Sequence, residues 1–373
     1  MLIEKPRLPL KEMVLHGWMP SAVKTFLYRR KGYRIGSGVK LSFGSVVCGD
    51  EVQIGAGTRM GFLSFVRGKT IRIGAHVQIG ATTMIDTPHV EIGEGTRINE
   101  QVFVGGLQFP NSRLVIGRNC QIMQMTFINP TRSITIGDDT GIGGHSLLFG
   151  HTSWLSQFEG YPVDFDSIEI GNSVSIAWRV FLLPGTRIGD GAVIGANSLV
   201  RGTIPPRCLA VGYPARVVSS APEFPREIGE AEKTRMLDAI VAEMAAFFEA
   251  SGLTWRAVGS EYEITDPRRR GWRAHSKVWR LGVRSDSLSS SDSRRSAAGD
   301  LDVFLSLRVI TADLRMALSA RNVMWIDVES KERSDSGNDL GEEVVLYLRR
   351  YGVRFFRTSG PPRTPSNHQC AAS

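Results

Sequence analysis

Aliphatic residues recur along the first half of the chain at a nearly fixed interval. Eight Ile-Gly pairs mark this interval, with successive pairs lying 19, 19, 19, 24, 20, 34 and 18 residues apart. Within each interval an aliphatic residue returns every six positions, as in the run Ile170, Ile176, Leu182, Ile188, Ile194 and Val200. A period near 18 that is divided into sixes is typical of a parallel β-helix with three short strands in each coil.

The residues between the aliphatic positions fit the corners of such coils. Glycine, asparagine and aspartate stand beside many of the isoleucines, and these residues adopt turn and left-handed backbone at low cost. We therefore predict an all-β parallel β-helix of about eight coils over 35–204, with the aliphatic side chains inside. An ordinary β-sandwich is the alternative, but its strands follow one another at roughly 8–12 residues without a fixed subdivision of six.

Changes in the pattern divide the chain into five segments. Residues 1–34 are predicted to cap the first coil, whose strand edges would otherwise be unpaired. Residues 35–218 form the β-helix. Residues 219–252 hold a linker and an amphipathic helix, predicted to pack on the β-helix or on a partner subunit. Residues 253–357 are predicted to form a small α+β domain of unknown role, and 358–373 a disordered tail.

Secondary structure within the fourth segment is predicted from short apolar runs. The predicted strands are Trp255–Ile264, Lys277–Val283, Leu301–Val309 and Val323–Val328, followed by a helix over Glu342–Tyr351. The serine-rich stretch 285–299 is predicted to be a mobile loop.

Composition narrows the classes of partner. The chain has 373 residues and a formal net charge of +8, which suits an anionic ligand such as a phosphorylated cofactor or sugar, or simply a solvated arginine-rich surface. No alternation of aromatic and basic residues indicates nucleic acid. The four cysteines are scattered, which favours a reducing compartment. No apolar run approaches the roughly 18 residues of a membrane span, so we expect a cytoplasmic protein.

The longest interval in the repeat contains the strongest candidates for chemistry. It lies between Leu148 and Ile170 and holds about sixteen residues beyond the ordinary step. His151 stands at its start and His145 six residues earlier. Long loops on a rigid scaffold are where binding and catalysis concentrate. We predict His151 as the functional residue, with His145 as its competitor.

This order of features resembles the hexapeptide-repeat acyltransferases related to maltose, galactoside and xenobiotic O-acetyltransferases. The resemblance covers about 35–218 and is strongest over Ser167–Val218. The histidine loop comes before this stretch, and within the stretch Leu183-Pro184-Gly185 is followed by Gly212-Tyr213-Pro214-Ala215-Arg216. It implies a left-handed β-helix, a homotrimer with its active sites between subunits, and acetyl-CoA as co-substrate without a metal.

The resemblance also assigns roles to individual residues. His151 matches the catalytic histidine, which acts as a general base in direct transfer, and His145 remains the alternative. Arg216 is implied to reach the nucleotide phosphates of coenzyme A, since a guanidinium suits phosphate. The residues implied to line the cofactor groove are Ala177, Trp178, Ala196, Ser198, Arg201 and Arg216.

The acceptor is predicted from the long loop. Trp154, Tyr161 and Asp164 combine aromatic rings with a carboxylate, which suits a sugar ring. We therefore expect O-acetylation of a saccharide in surface-polysaccharide or glycoconjugate assembly, with N-acetylation of an amino sugar or other amine as the alternative. A third alternative is a γ-type carbonic anhydrase, which would need three histidines converging on zinc. A fourth is a non-catalytic solenoid, which would leave the long histidine loop unexplained.

Overall fold

The computed structural model describes residues 9–153, 155–259, 261–267, 277–285, 300–335 and 337–358. The chain divides into two compact units, Met1–Glu227 and Ile228–Ser373.

The first unit is a three-sided parallel β-helix, whose sheets we call the first, second and third face in their order along each coil. The first face consists of Arg34–Ile35, Glu51–Ile54, Thr70–Ile73, His89–Ile92, Arg113–Ile116, Ile134–Ile136, Ile168–Ile170, Arg187–Ile188 and Thr203–Ile204. The second face consists of Lys40–Leu41, Arg59–Met60, Gln78–Ile79, Arg97–Ile98, Gln121–Ile122, Gly141–Ile142, Ser175–Ile176, Val193–Ile194, Cys208–Gly212 and the antiparallel strand Ala215–Ser220. The third face consists of Val46–Cys48, Phe65–Arg67, Met84–Asp86, Phe103–Val104, Phe127–Asn129, Leu147–Phe149, Phe181–Leu182 and Leu199–Val200.

The six-residue pattern explains this architecture directly. On the first face Ile54, Ile73 and Ile92 pair in register and are at most 2% exposed. Each such position faces the axis of a narrow tube, so it accepts only an apolar side chain of suitable volume. The eight strands of the third face agree with the predicted eight coils. The predicted parallel β-helix is thereby confirmed.

Three corners join the faces, and we number them in chain order. The first corner links the first face to the second, the second corner links the second face to the third, and the third corner returns the chain to the next coil. Several corner residues other than glycine have positive φ, including His76 at the first corner and His145 at the second. The 34-residue interval leaves the prism at the third corner.

A helical segment precedes the first coil. It contains an α-helical turn over Leu10–Glu12, a π-helical turn over Met13–Gly17 and the α-helix Ser21–Arg30. The last helix lies on the first coil, where Lys24 Nζ donates to the carbonyl oxygens of Ser42 at 2.7 Å and Ser45 at 3.0 Å. A polar side chain of this helix thus forms hydrogen bonds with backbone groups of the first coil, at the end of the prism.

The second unit is an α/β domain built on one mixed sheet. Among the described residues of this unit, the helices are Glu230–Ala250, Ala312–Ala320 and Asp339–Leu348. A single 3₁₀ turn, Arg349–Tyr351, follows the third of them. Its seven strands, in sheet order, are Thr254–Val258, Glu261–Thr265, Val278–Arg284, Val303–Ser306, Met324–Asp327, Glu332–Ser334 and Phe356–Thr358. The pattern-based prediction missed the helix Ala312–Ala320 and the last two strands, and those two strands together contain one apolar residue. It also joined two strands into one over Trp255–Ile264.

The predicted partner of the first of these helices was wrong. Its apolar positions Leu237, Val241, Met244 and Phe248 lie in the core of the second unit rather than against the β-helix or a partner. The sheet supplies an apolar face of its own, which includes Ile264 and Trp279, and the helix covers that face. Most of the predicted serine-rich loop and tail lies outside the described residues. Over the described part of the chain, no helix combines the length and apolar character needed to cross a bilayer.

Candidate active site

His151 is held at the third corner by a short hairpin. The strand His151–Thr152 pairs antiparallel with Asp164–Phe165, so His151 lies directly opposite Phe165. Between the strands the chain makes a 3₁₀ turn over Gln157–Glu159. The hairpin anchors both ends of the long interval to the prism. This anchoring gives His151 a defined position instead of the freedom of an open loop.

Two side chains of the preceding coil contact the imidazole. Asn129 Nδ2 lies 3.0 Å from His151 Nδ1, and Thr131 Oγ1 lies 3.1 Å from the same nitrogen. The Thr131 hydroxyl and Asn129 Oδ1 are 2.7 Å apart, which links the two partners. Asn129 and Thr131 are both buried. His151 Nδ1, the Asn129 amide and the Thr131 hydroxyl therefore lie within hydrogen-bonding distance of one another, and these contacts hold the Nδ1 edge of the ring in place.

The orientation of the Asn129 amide decides which nitrogen of His151 carries the proton. An amide turned by 180° exchanges its oxygen and nitrogen within the same outline. With the nitrogen toward the ring, Nδ1 accepts a hydrogen bond and the ring proton lies on Nε2. With the oxygen toward the ring, Nδ1–H donates to the amide and Nε2 keeps its lone pair. Asn129 thus controls the tautomer of His151.

The surroundings of His151 favour its neutral form. Burial of the imidazole lowers the pKa of His151 below its ordinary value of 6.5, because a charged ring would lose hydration. One side of the ring stacks on Phe165, with centroids 5.7 Å apart and an interplanar angle of 14°. A neutral imidazole at pH 7 is the form that can accept a proton.

An aromatic and cationic cluster surrounds the stacked pair. Phe109, from the protruding loop after the third-face strand Phe103–Val104, meets Phe165 edge to face at 5.8 Å. The Arg132 guanidinium lies 4.7 Å from the centroid of Phe109 and 6.0 Å from that of Phe165. The first insertion therefore contacts Phe165, the residue that stacks on His151.

His145 lies at a different corner. It occupies the second corner, at the other end of the strand Leu147–Phe149 from His151, and its ring lies 6.0 Å from that of Trp178. His145 is exposed. The predicted cofactor residues Ala177, Trp178, Ala196 and Ser198 share this corner on the following coils. The two histidines of one chain therefore lie at different corners and do not form one site together.

The other predicted cofactor residues have separate surroundings. Arg201 lies at the third corner, 3.7 Å from the Asp164 carboxylate, so it accompanies His151 and not the second corner. Ser198 is buried, and its hydroxyl accepts the amide hydrogen of Gly212. Arg216 is exposed on the last strand of the second face. Tyr161 is exposed beyond the 3₁₀ turn, and Trp154 lies outside the described residues.

Sequence reasoning missed Asn129, Thr131 and Arg132. A signal for them exists, because Asn129 pairs in register with Phe149 on the next coil. Aligning the coils one under another would place residue 131 beside residue 151. Whether these residues lie close to His151 depends on the register between successive coils, which no local motif specifies.

The geometry described above can be compared with known proteins. No family model matches the chain. Over 112 residues it is 36% identical to the putative lipopolysaccharide biosynthesis O-acetyl transferase WbbJ of Escherichia coli strain K12, covering 27% of this chain and 57% of that protein. Over 132 residues it is 34% identical to galactoside O-acetyltransferase of the same strain, covering 33% of this chain and 58% of that protein. The chain thus spans 57–58% of the length of these two relatives.

The solved structure of the polySia specific acetyltransferase NeuO is similar at 19% identity, covering 57% of this chain and 99% of that one. The TM-score of this match is 0.35. The identity to the two O-acetyltransferases confirms the resemblance to the hexapeptide-repeat acyltransferases.

Proposed function

We propose that this chain, as a member of the hexapeptide-repeat acyltransferases, transfers an acetyl group from acetyl-CoA to a saccharide hydroxyl. The observation that carries the proposal is His151, a partly buried imidazole with a lowered pKa whose Nδ1 edge is held by Asn129 and Thr131. A base needs a free nitrogen lone pair near neutral pH. We therefore assign the amide orientation in which the Asn129 oxygen accepts Nδ1–H and Nε2 faces the acceptor.

The proposed reaction is a direct transfer. Nε2 of His151 removes the proton of the acceptor hydroxyl as that oxygen attacks the thioester carbonyl carbon. The carbon–sulfur bond then breaks, and the proton passes from His151 to the departing thiolate. Asn129 acts as a positioning residue, because it holds the ring tautomer without touching the reacting atoms.

The separation of the two corners supports a trimer. Within one chain, His151 and the proposed cofactor residues Trp178 and Ala196 lie at opposite edges of the third face. A neighbouring copy that packs on the third face would bring its own second corner to the third corner of the first copy. We propose a homotrimer in which each site takes His151 from one subunit and cofactor contacts from both.

The outer surface of the third face has the chemistry of such an interface. Phenylalanine rings stack along it from coil to coil, with centroids 5.3 to 5.5 Å apart: Phe103, Phe127, Phe149 and Phe181. All four are only partly buried in one chain. The corresponding outward positions of the first face are mostly polar, such as Glu91, Thr135 and Arg187. Apolar surface of this kind is removed from water when subunits associate.

The acceptor side of the site supports a saccharide. A shallow groove on the first face adjoins the end of the hairpin. Its lining combines the apolar residues Ile170, Ile188 and Pro205 with a polar set made of Ser133, Thr135, Ser167, Glu169 and Arg187. Hydroxyl, carboxylate and guanidinium groups together can bind the hydroxyl groups of a sugar chain. Tyr161 and Asp164 on the hairpin would contact the ring that reacts.

Two histidine variants test the assignment. We expect His151→Ala to lower kcat about 100- to 10,000-fold, the usual contribution of a general base. His145→Ala should leave kcat within a few-fold, because His145 lies beside the proposed cofactor residue Trp178 and is not the proposed base. The assay is acetyl-CoA turnover against saccharides, nucleotide sugars and amines. Near-normal turnover by His151→Ala, together with loss of turnover in His145→Ala, would reverse the assignment.

A separate experiment tests the trimer. Phe127→Glu places a charge in the middle of the phenylalanine row and should convert the assembly to monomers in light scattering. The matched control is Met316→Glu, because Met316 is exposed on the helix Ala312–Ala320 of the second unit. A wild-type chain that is monomeric at micromolar concentration would contradict the proposal.

A further inference from the structure

The helix Ser21–Arg30 packs with its polar side inward. Ser21 Oγ accepts the amide hydrogen of Leu41, and Lys24 Nζ donates to two carbonyl oxygens of the first coil. The Tyr28 hydroxyl accepts the amide hydrogen of Val47. The first coil has no preceding coil to satisfy its backbone groups, so this helix face supplies polar partners.

As a consequence, the apolar side of the same helix faces outward. Val23 and Phe26 are exposed, and Arg30 lies over the Phe26 ring at 4.8 Å. In an ordinary surface helix these apolar positions would be turned toward the core. Phe26 is 53% exposed, which leaves most of a large ring uncovered within the described chain.

The exposed apolar surface extends beyond the helix. Trp18 is 63% exposed and follows Gly17, whose carbonyl oxygen accepts the amide hydrogen of Gly44 at 2.7 Å. The exposed large apolar residues of this region, which we call the cap surface, are Leu10, Val14, Leu15, Trp18, Val23 and Phe26. Exposed apolar side chains concentrated in one segment in this way indicate an interaction site.

Positive charge surrounds the cap surface. Residues 9–40 contain seven Lys or Arg and one Glu, a net charge of +6 out of the +8 of the whole chain. Six of these cations are exposed: Lys11, Arg29, Arg30, Lys31, Arg34 and Lys40. Tryptophan, phenylalanine and leucine combined with Lys and Arg are the composition of segments that lie in a membrane interface.

We infer that the cap surface docks on an anionic lipid bilayer. The apolar side chains would enter the headgroup region while the cations contact acidic lipids. A second copy of the chain is a weaker occupant, because two cap surfaces would place their cations against each other. The inference is independent of the catalytic proposal.

Vesicle sedimentation with the full chain tests the inference. We expect binding to vesicles of phosphatidylcholine with phosphatidylglycerol, and weak binding to phosphatidylcholine alone. Raising the salt concentration should weaken the binding. The double variant Trp18→Ser/Phe26→Ser should lower the partition coefficient about tenfold or more. The charge reversals Arg30→Glu/Lys40→Glu should lower it by a similar factor.

Matched controls come from exposed positions elsewhere. Met316→Ser/Val309→Ser removes exposed apolar side chains from the second unit, and Arg256→Glu/Arg207→Glu reverses two exposed charges. Both controls should bind as the wild type does. The single variant Trp18→Ser with an unchanged melting curve guards against a folding defect. Equal binding by wild type and Trp18→Ser/Phe26→Ser would overturn the inference, as would self-association through the cap surface without vesicle binding.

Discussion

Replacing Asn129 by aspartate changes the charge beside His151 without changing the shape of the site. Asn129 Nδ2 lies 3.0 Å from His151 Nδ1, so an Asp carboxylate would take a place within hydrogen-bonding distance of the ring. A carboxylate can only accept there, which fixes the proton on Nδ1 and leaves Nε2 free. It also stabilises the imidazolium, so the pKa of His151 must rise.

The size of the shift follows from the geometry. An opposite charge within about 4 to 6 Å shifts a pKa by roughly 1 to 3 units, and one unit corresponds to about 1.4 kcal/mol. Burial lowers the pKa of His151 in the wild type, so its activity should fall only below about pH 6.5. In Asn129→Asp the acid limb should move up by at least about one unit, while the rate at high pH is retained.

Two measurements check this result. The first is the pH profile of kcat/KM, and the second is the titration of the His151 ring protons by NMR, assigned with His151→Ala among the seven histidines. Asn322→Asp is the matched control, because it adds the same charge at an exposed left-handed position of the second unit. An unchanged His151 pKa in Asn129→Asp, or a wild-type ring protonated on Nε2 at pH 8, would refute the reasoning.

Three further predictions concern other parts of the chain. Burial lowers the pKa of Lys24 to about 8, below its unfolded value of about 10.4. Between those pH values the unfolded state binds more protons than the folded state, so the free energy of unfolding rises with pH. Lys24→Met should remove that rise in urea titrations, and an unchanged pH dependence would contradict it. Asp327→Ala should destabilise the second unit by about 1–3 kcal/mol, because the buried amide of Ile310 loses its acceptor while Arg315 keeps its ion pair with Glu332. Calorimetry should show less than about 0.5 kcal/mol for the exposed control Asp300→Ala. Arg216→Ala should raise the apparent KM for acetyl-CoA about tenfold while Arg207→Ala does not, and equal values would remove Arg216 from the proposed site.

The core of the β-helix was predictable from local pattern alone. Every inward position, such as Ile73 or Ile194, meets the same requirement for an apolar side chain in a narrow tube, so the requirement is written into the sequence every six residues. The insertion with His151 was predictable for the same reason, since it interrupts a regular count. These features depend on residues that are neighbours in sequence.

The amphipathic helix Glu230–Ala250 shows where this reasoning ends. Its apolar stripe was evident in the sequence, but the stripe does not specify its partner. The partner is a sheet assembled from residues up to a hundred positions away, including Met324 and Ile326. The spacing of apolar residues shows which side of a helix will be buried, but it contains no information about the surface that covers that side.

Asn129 and Ser21–Arg30 show the same division at the functional surfaces. The contact of Asn129 with His151 arises from the register of two coils, which irregular intervals of 20 and 34 residues conceal. The helix Ser21–Arg30 exposes Phe26 because its opposite side, with Lys24 and Tyr28, supplies hydrogen-bonding partners to the backbone at the end of the prism. Periodic side-chain burial is a local property of the chain, whereas the pairing of corners and the orientation of a cap depend on which backbone groups the completed prism leaves unsatisfied.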